Sequence, residues 1–175
     1  MASRPSAEKA LEAALKSSFP PVVDADTRLL ILGSLPGEMS LQRGQYYANP
    51  RNQFWRLMAT VTESQMPDAY DDRLAHLLRR GIGLWDTVKA ARRVGSLDGA
   101  IQAAQPNALQ DLAAGLPKLC AIGFNGGTAA RMGRAQLAEA AGLALVALPS
   151  SSPAFTQPFE VKAAAWRRLR SYIRA

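Results

Sequence analysis

Three stretches of the chain carry apolar residues in unbroken runs rather than in alternation: Arg28-Leu-Leu-Ile-Leu-Gly33, Leu119-Cys-Ala-Ile-Gly123 and Leu143-Ala-Leu-Val-Ala-Leu148. A strand with one wet face alternates polar and apolar positions. A short, continuous apolar run ending at glycine or in a polar loop is instead buried on both faces, as in a parallel sheet covered by helices. Each run leads into a small loop: Ser34-Leu-Pro-Gly37, Phe124-Asn-Gly-Gly127 and Pro149-Ser-Ser-Ser-Pro153. Gly81-Ile-Gly-Leu-Trp85 is a fourth, shorter strand candidate.

Helical spacing of apolar residues predicts helices over 7–16, ending before Phe19-Pro-Pro21, and over 53–61, 71–80, 97–116 with a break at Pro106, 126–141 and 160–174. Strands alternating with helices predict an α/β fold. We expect a three-layer αβα single domain over 1–175 with a central, mainly parallel four-stranded sheet and right-handed crossovers. Residues 1–27 are expected to form an N-terminal helix and an extended lead-in. Ligands of such sheets bind outside the carboxyl ends of the strands, where the three small loops gather.

Composition narrows the function. With 48% hydrophobic and 20% charged residues among 175, the chain has ordinary globular usage, which excludes a disordered or fibrous class. Cys120 is the only cysteine and His76 the only histidine. An intrachain disulfide, a cysteine-based zinc site and a two-histidine metal motif are therefore excluded, and no cofactor is expected. His76 falls in an amphipathic stretch and reads as a helix-face residue. The start of the chain lacks the apolar core of a signal peptide, and no apolar run approaches the ~18 residues of a membrane span. A cytoplasmic protein without membrane attachment is expected. Lysine and arginine exceed aspartate and glutamate by 21 to 14, a net charge of +7, which suits a polyanionic partner and equally a merely basic surface.

The densest constellation is Gly33-Ser-Leu-Pro-Gly37 followed by Gln45-Tyr-Tyr-Ala-Asn-Pro-Arg-Asn-Gln-Phe-Trp55. It matches neither the dinucleotide fingerprint nor the P-loop. Rings stack on nucleobases, and a carboxamide offers a base edge both a donor and an acceptor. Phe54 and Trp55 also read as core residues at a helix start, Asn52 as the cap of that helix, and Asn125 as a turn residue before glycine. Glu38 and Asp86 lie near these segments but form no pair at fixed spacing. Each reads as a solvated or loop-capping acid rather than half of a glycosidase dyad.

These segments, together with Gly81-Ile-Gly-Leu-Trp-Asp86, Ser96-Leu-Asp98, Phe124-Asn-Gly126 and Leu148-Pro-Ser-Ser-Ser-Pro-Ala154, resemble the uracil-DNA glycosylase superfamily. Within it they are most similar to its hypoxanthine-DNA (deoxyinosine) glycosylase branch. The resemblance runs from about Arg28 to Arg174. It implies a monofunctional DNA repair enzyme that flips a deaminated base and hydrolyses its N-glycosidic bond. Mismatch-type uracil enzymes of the superfamily carry an asparagine that positions water where this chain has Leu35. The alignment of Pro50-Arg-Asn52-Gln-Phe-Trp55 with the family's Pro-x-Asn-x-Phe-Trp implies that Asn52 is the key catalytic residue, with Asn49 its neighbour and competitor. Gly33, Ser34, Leu35, Tyr47 and Asn125 are the expected base-pocket residues, with Tyr47 stacking on the base. Arg51, Ser150, Ser151, Ser152, Ala154 and Phe155 are expected to contact DNA, joined by Arg167 and Arg168 as phosphate partners. A monomer is expected. Two other readings stay open: a uracil-type glycosylase with a relocated water-positioning group, and a noncatalytic nucleic-acid-binding module of the same fold.

Overall fold

The structure, a computed structural model, describes residues 14–140 and 142–175. Its centre is a four-stranded parallel sheet in the order β3-β2-β6-β7, built from β2 (Leu29–Gly33), β3 (Ile82–Asp86), β6 (Ala121–Asn125) and β7 (Ala144–Leu148). All three pairings are parallel, as the unbroken apolar runs predict. Every residue of β2 and β6 is buried. Leu29 and Ile31 face one apolar layer with Phe54, Leu57, Met58 and Trp166, while Leu30 and Leu32 face the other with Ile122, Phe124 and Leu137. Burying such a side chain fully stabilises the fold by about 1.5–3 kcal/mol relative to leaving it exposed.

The covering helices follow the expected periodicity with adjusted ends. They are α2 (Phe54–Thr62), α3 (Tyr70–Arg79), α5 (Gly127–Leu137) and α6 (Phe159–Trp166). In α2, Phe54, Leu57, Met58 and Val61 fall on one stripe and are all buried. The long final helix expected over 160–174 changes at Arg167 into a 3-10 turn over Arg167–Tyr172. The helix expected over 126–141 ends at Leu137.

Three features depart from the sequence reading. Leu15–Ser17, the end of the expected first helix, forms strand β1, and the remainder of that helix lies outside the described residues apart from Ala14. The helix expected over 97–116 is instead a 3-10 turn (Asp98–Ala100), strand β5 (Gln102–Pro106) and the short helix α4 (Leu109–Ala114). Alanine-rich sequence favours helix, but here the backbone of β5 pairs antiparallel with β4 (Val88–Arg92), with two register shifts and a left-handed Ala103 (φ 49°). Strands β1, β4 and β5 thus make a second, antiparallel sheet in the order β1-β4-β5. A short helix, α1 (Glu38–Arg43), also follows the first loop. Among the described residues no helix is long and apolar enough to cross a membrane.

Candidate active site

Strands β2, β3 and β6 end side by side at Gly33, Asp86 and Asn125, and the loops beyond them enclose a pocket of about 600 Å³. Gly33 opens its floor: a Cβ there would stand 2.6 Å from Asp86 Oδ1 and 3.2 Å from Tyr47 Oη, so only glycine lets these groups approach.

The 45–53 segment forms one wall. Tyr47 takes a left-handed backbone (φ 53°) and lays its ring on Phe54, centroids 3.8 Å apart and planes 15° from parallel. One ring face is thereby covered, and Tyr47 lines the pocket. Burial pushes its phenol pKa well above the usual range, so the hydroxyl stays protonated. Asn52 is not the cap of α2 but lies one residue before the cap position, Gln53, and its Oδ1 accepts the Phe54 N–H at 3.0 Å. This bond fixes the carboxamide plane while Nδ2 makes no hydrogen bond among the described residues. Asn49 accepts the Arg51 N–H through Oδ1 at 3.0 Å, and both residues line the pocket. A hydrogen bond to the first turn of α2 and a place in the pocket coexist at Asn52. Phe54 and Trp55 lie in the core, as the helix-start reading has it.

Asn125 lines the pocket beside that wall with its carboxamide engaged. Nδ2 donates to Ser151 Oγ (2.9 Å) and Tyr47 Oη (3.2 Å), and Oδ1 accepts the Ser151 N–H (2.8 Å). One Oδ1 lone pair remains for a base edge. Asn125 is thus the last residue of β6 rather than a free turn. Gly126 follows with φ 99°, and a Cβ there would meet Ser150 at 3.1 Å.

The Ser150-Ser-Ser152 loop is less open to phosphate than its sequence suggests. Ser151 is buried under Asn125, and the hydroxyls of Ser150 and Ser152 accept the N–H groups of Ser152 and Ala154 within the loop. Beyond it Ala154 and Phe155 line the pocket mouth, with Phe155 42% exposed. Arg51 is exposed at the rim. Arg167 and Arg168 do not line the pocket: one pairs with Glu160 at 3.6 Å, and the other donates to the carbonyls of Ala165 and Ala147.

Leu35 turns its side chain into a small core with Val88 and Ala91. Leu35 also lines the pocket, so the position expected among the base-pocket residues lies there with an apolar side chain. Ser34 donates from Oγ to Asp98 Oδ1 at 2.5 Å. Arg93, 1% exposed, donates from Nε to Gly95 O (2.9 Å), from Nη1 to Leu35 O (3.3 Å) and from Nη2 to Pro36 O, pinning the loop after β2 to the end of β4.

Asp86 corrects the sequence reading. It is neither solvated nor a loop cap but 4% exposed, with Oδ2 buried and without a hydrogen-bond partner. Burial, then the charge of Asp98, push its pKa up to about 7, against an opposing pull from Arg93. Its place at the carboxyl end of a buried strand, level with Gly33, was the available signal. Arg93 gave none, since an isolated arginine reads as surface. Among the described residues no group of three or more His, Cys, Asp or Glu side chains is placed to hold a metal ion.

This geometry has counterparts in known proteins. A family model described as the uracil DNA glycosylase superfamily matches residues 20–170. A protein named hypoxanthine DNA glycosylase from Methanosarcina acetivorans is 42% identical over 141 residues, 80% of this chain and 88% of its own length. One of the same name from Methanosarcina barkeri is 43% identical over 112 residues, 63% of this chain and 71% of its own. A solution NMR structure from Methanosarcina acetivorans, described as a candidate uracil DNA glycosylase, superposes with a TM-score of 0.80 at 38% identity, covering 91% of this chain and 99% of that one.

Proposed function

The chain belongs to the uracil DNA glycosylase superfamily and is a DNA glycosylase, a hydrolase of N-glycosyl bonds, and we propose that the base it releases is hypoxanthine, cut from deoxyinosine flipped out of DNA. The observation that carries this reading is the pocket at the carboxyl edge of the parallel sheet. Asn49, Asn52 and Asn125 all line it, and at Leu35, which lines it too while packing against Val88 and Ala91, the side chain is apolar. A site without the usual water-orienting group needs a base that leaves readily once its developing charge is met by hydrogen bonds. A deaminated purine is such a base.

In this mechanism the flipped nucleotide enters the pocket that the 45–53 wall and Asn125 line, at an unstacking cost of a few kcal/mol. Phe155, with Ala154, fills the vacated stack, and Arg51 meets a flanking phosphate. Asn52, its plane set by the Phe54 N–H, presents Nδ2 and its remaining Oδ1 lone pair to the attacking water at C1′, with Asn49 alongside. Tyr47 lies against the base with its uncovered face, and the free lone pair of Asn125 accepts from the base edge. Gly33 and Ser34 supply backbone contacts. No lysine lines the pocket, which fits a monofunctional hydrolysis that leaves an abasic site intact.

The test is release of free base from duplexes carrying one deoxyinosine or one deoxyuridine, with alkali used to cut the abasic product. Cutting at inosine well above uridine is the expected result. Preference for uridine would favour the uracil-type reading, and tight, lesion-independent binding without release would favour a noncatalytic module. Binding should weaken with salt at a log–log slope of ~0.9 per phosphate neutralised.

A further inference from the structure

Asp86 has no part in the mechanism above, yet it stands at the centre of the pocket floor. Its backbone is engaged: it pairs in β3 with Gly33, and its carbonyl accepts Asn107 Nδ2 at 2.8 Å. Its side chain is not. Oδ2 is buried without a partner, and Oδ1 faces the bare Cα of Gly33, where any Cβ would close the gap. Arg93, whose charge bears on it, commits its guanidinium to three backbone carbonyls. A buried carboxyl left without donors is costly and is retained where something else uses it.

We propose that Asp86 is the general acid of the reaction, giving its carboxyl proton to an acceptor atom, N7 or O6, on the edge of the hypoxanthine remote from the sugar. The inference rests on the glycosylase reading and completes it. As the C1′–N9 bond breaks, its electron pair moves into the purine ring, and the Asp86 proton passes to the base to give neutral hypoxanthine and an Asp86 carboxylate. Water adds its oxygen to C1′ and loses one proton to solvent, and Asp86 regains a proton from solvent once the base has left. The sum is deoxyinosine plus water giving an abasic sugar plus hypoxanthine.

The groups facing Asp86 favour this form. Tyr47 and Tyr46 approach from the 45–53 wall as neutral phenols, Asp98 from the 3-10 turn as a like charge, and Arg93 from the end of β4 as the opposing cation among the described residues. Burial outweighs that cation and keeps the carboxyl protonated up to about pH 7. His76, the other group near this range, lies on α3 against Ser64, outside the pocket, and burial lowers its pKa.

The experiment is single-turnover release of hypoxanthine between pH 5.5 and 9 by the wild type, Asp86→Asn and Asp86→Leu, with folding monitored by thermal melting. The wild-type rate should be flat below about pH 7 and fall tenfold per pH unit above it. Asp86→Asn, which can donate a hydrogen bond but not a proton, should be slower by about tenfold or more and flat with pH. Asp86→Leu should lose about 10²- to 10⁴-fold, the range for a positioned acid. Asp86→Asn removes a buried charge and should melt no lower than the wild type at pH 8, so it keeps the test open if Asp86→Leu fails to fold. A wild-type rate that rises through pH 7 and is lost in Asp86→Asn would make Asp86 a base and overturn the proposal, as would an Asp86→Asn rate and pH profile matching the wild type. A wild type that releases no hypoxanthine overturns the assigned substrate instead.

Discussion

The parallel sheet buries Leu29 through Leu32 between two apolar layers, whereas the antiparallel sheet leaves Leu15, Lys89, Arg92 and all of β5 exposed. The first is held by burial of branched side chains and would keep its shape with an empty pocket. The second buries little beyond Val88, Ala90 and Ala91, and is tied down by polar contacts that converge on the loop after β2. Arg93 holds the carbonyls of Leu35 and Pro36, Ser96 Oγ accepts the Glu38 N–H at 2.9 Å, and Lys16 reaches both Glu38 and Gly95 O. One sheet provides the platform and the other aims a loop. Chemistry placed on the platform should therefore be lost without loss of fold, while damage to the small sheet should loosen fold and site together.

The sharpest separation is expected at Asn52. Asn52→Ala should slow hypoxanthine release by about 10²- to 10³-fold, the cost of removing one preorganised polar contact. Its stability should fall by only about 1 kcal/mol, the worth of its one hydrogen bond to the Phe54 N–H. Single-turnover kinetics beside denaturant melts measure both. A variant that keeps its rate would move the water-positioning role to Asn49.

Arg93→Met should reverse the balance. Three backbone carbonyls lose a buried, charged donor, a loss of about 3 kcal/mol in stability. Hydrogen exchange should show β4 and β5 opening while β2 and β6 stay protected. Equal deprotection of both sheets would contradict the division drawn above.

Gly33→Ala probes the seam between the regions. The added methyl meets Asp86 Oδ1 at 2.6 Å, too close for either group to stay in place. Overpacking of this kind costs about 1–3 kcal/mol. The loss should appear in the rate more than in the melting temperature, because the methyl intrudes on the pocket floor while β2 keeps its hydrogen bonds.

The same contrast explains what was legible in the sequence. Strands buried on both faces must be written as unbroken apolar runs, so the parallel sheet, its carboxyl-edge loops and the stripe of α2 could be read directly. The antiparallel sheet is written in Ala-Ala-Arg and Gln-Ala-Ala-Gln-Pro, whose local preferences favour helix and whose pairing partners lie far away in the chain. Asn52 could be placed because a motif carries it. Asp86 stood at the end of a strand candidate, which signals its position, but its enclosure, like that of Arg93, could not be read, because a lone charged residue looks the same in sequence whether it is solvated or enclosed.

The smallest effect is expected at the outer tie. Lys16 is 8% exposed while its partner Glu38 is 46% exposed, so solvent screens the pair from one side. Lys16→Met keeps the aliphatic stem packed and removes the charge, and should cost about 1 kcal/mol or less. The position of the loop after β2 should still rest on Arg93, leaving the excision rate within about twofold of wild type at moderate salt. If Lys16→Met instead slowed excision as much as Arg93→Met, aim would depend on the whole polar lattice rather than on the one buried guanidinium. The double variant separates these cases: additive losses mean two independent ties, and a shortfall means one shared network.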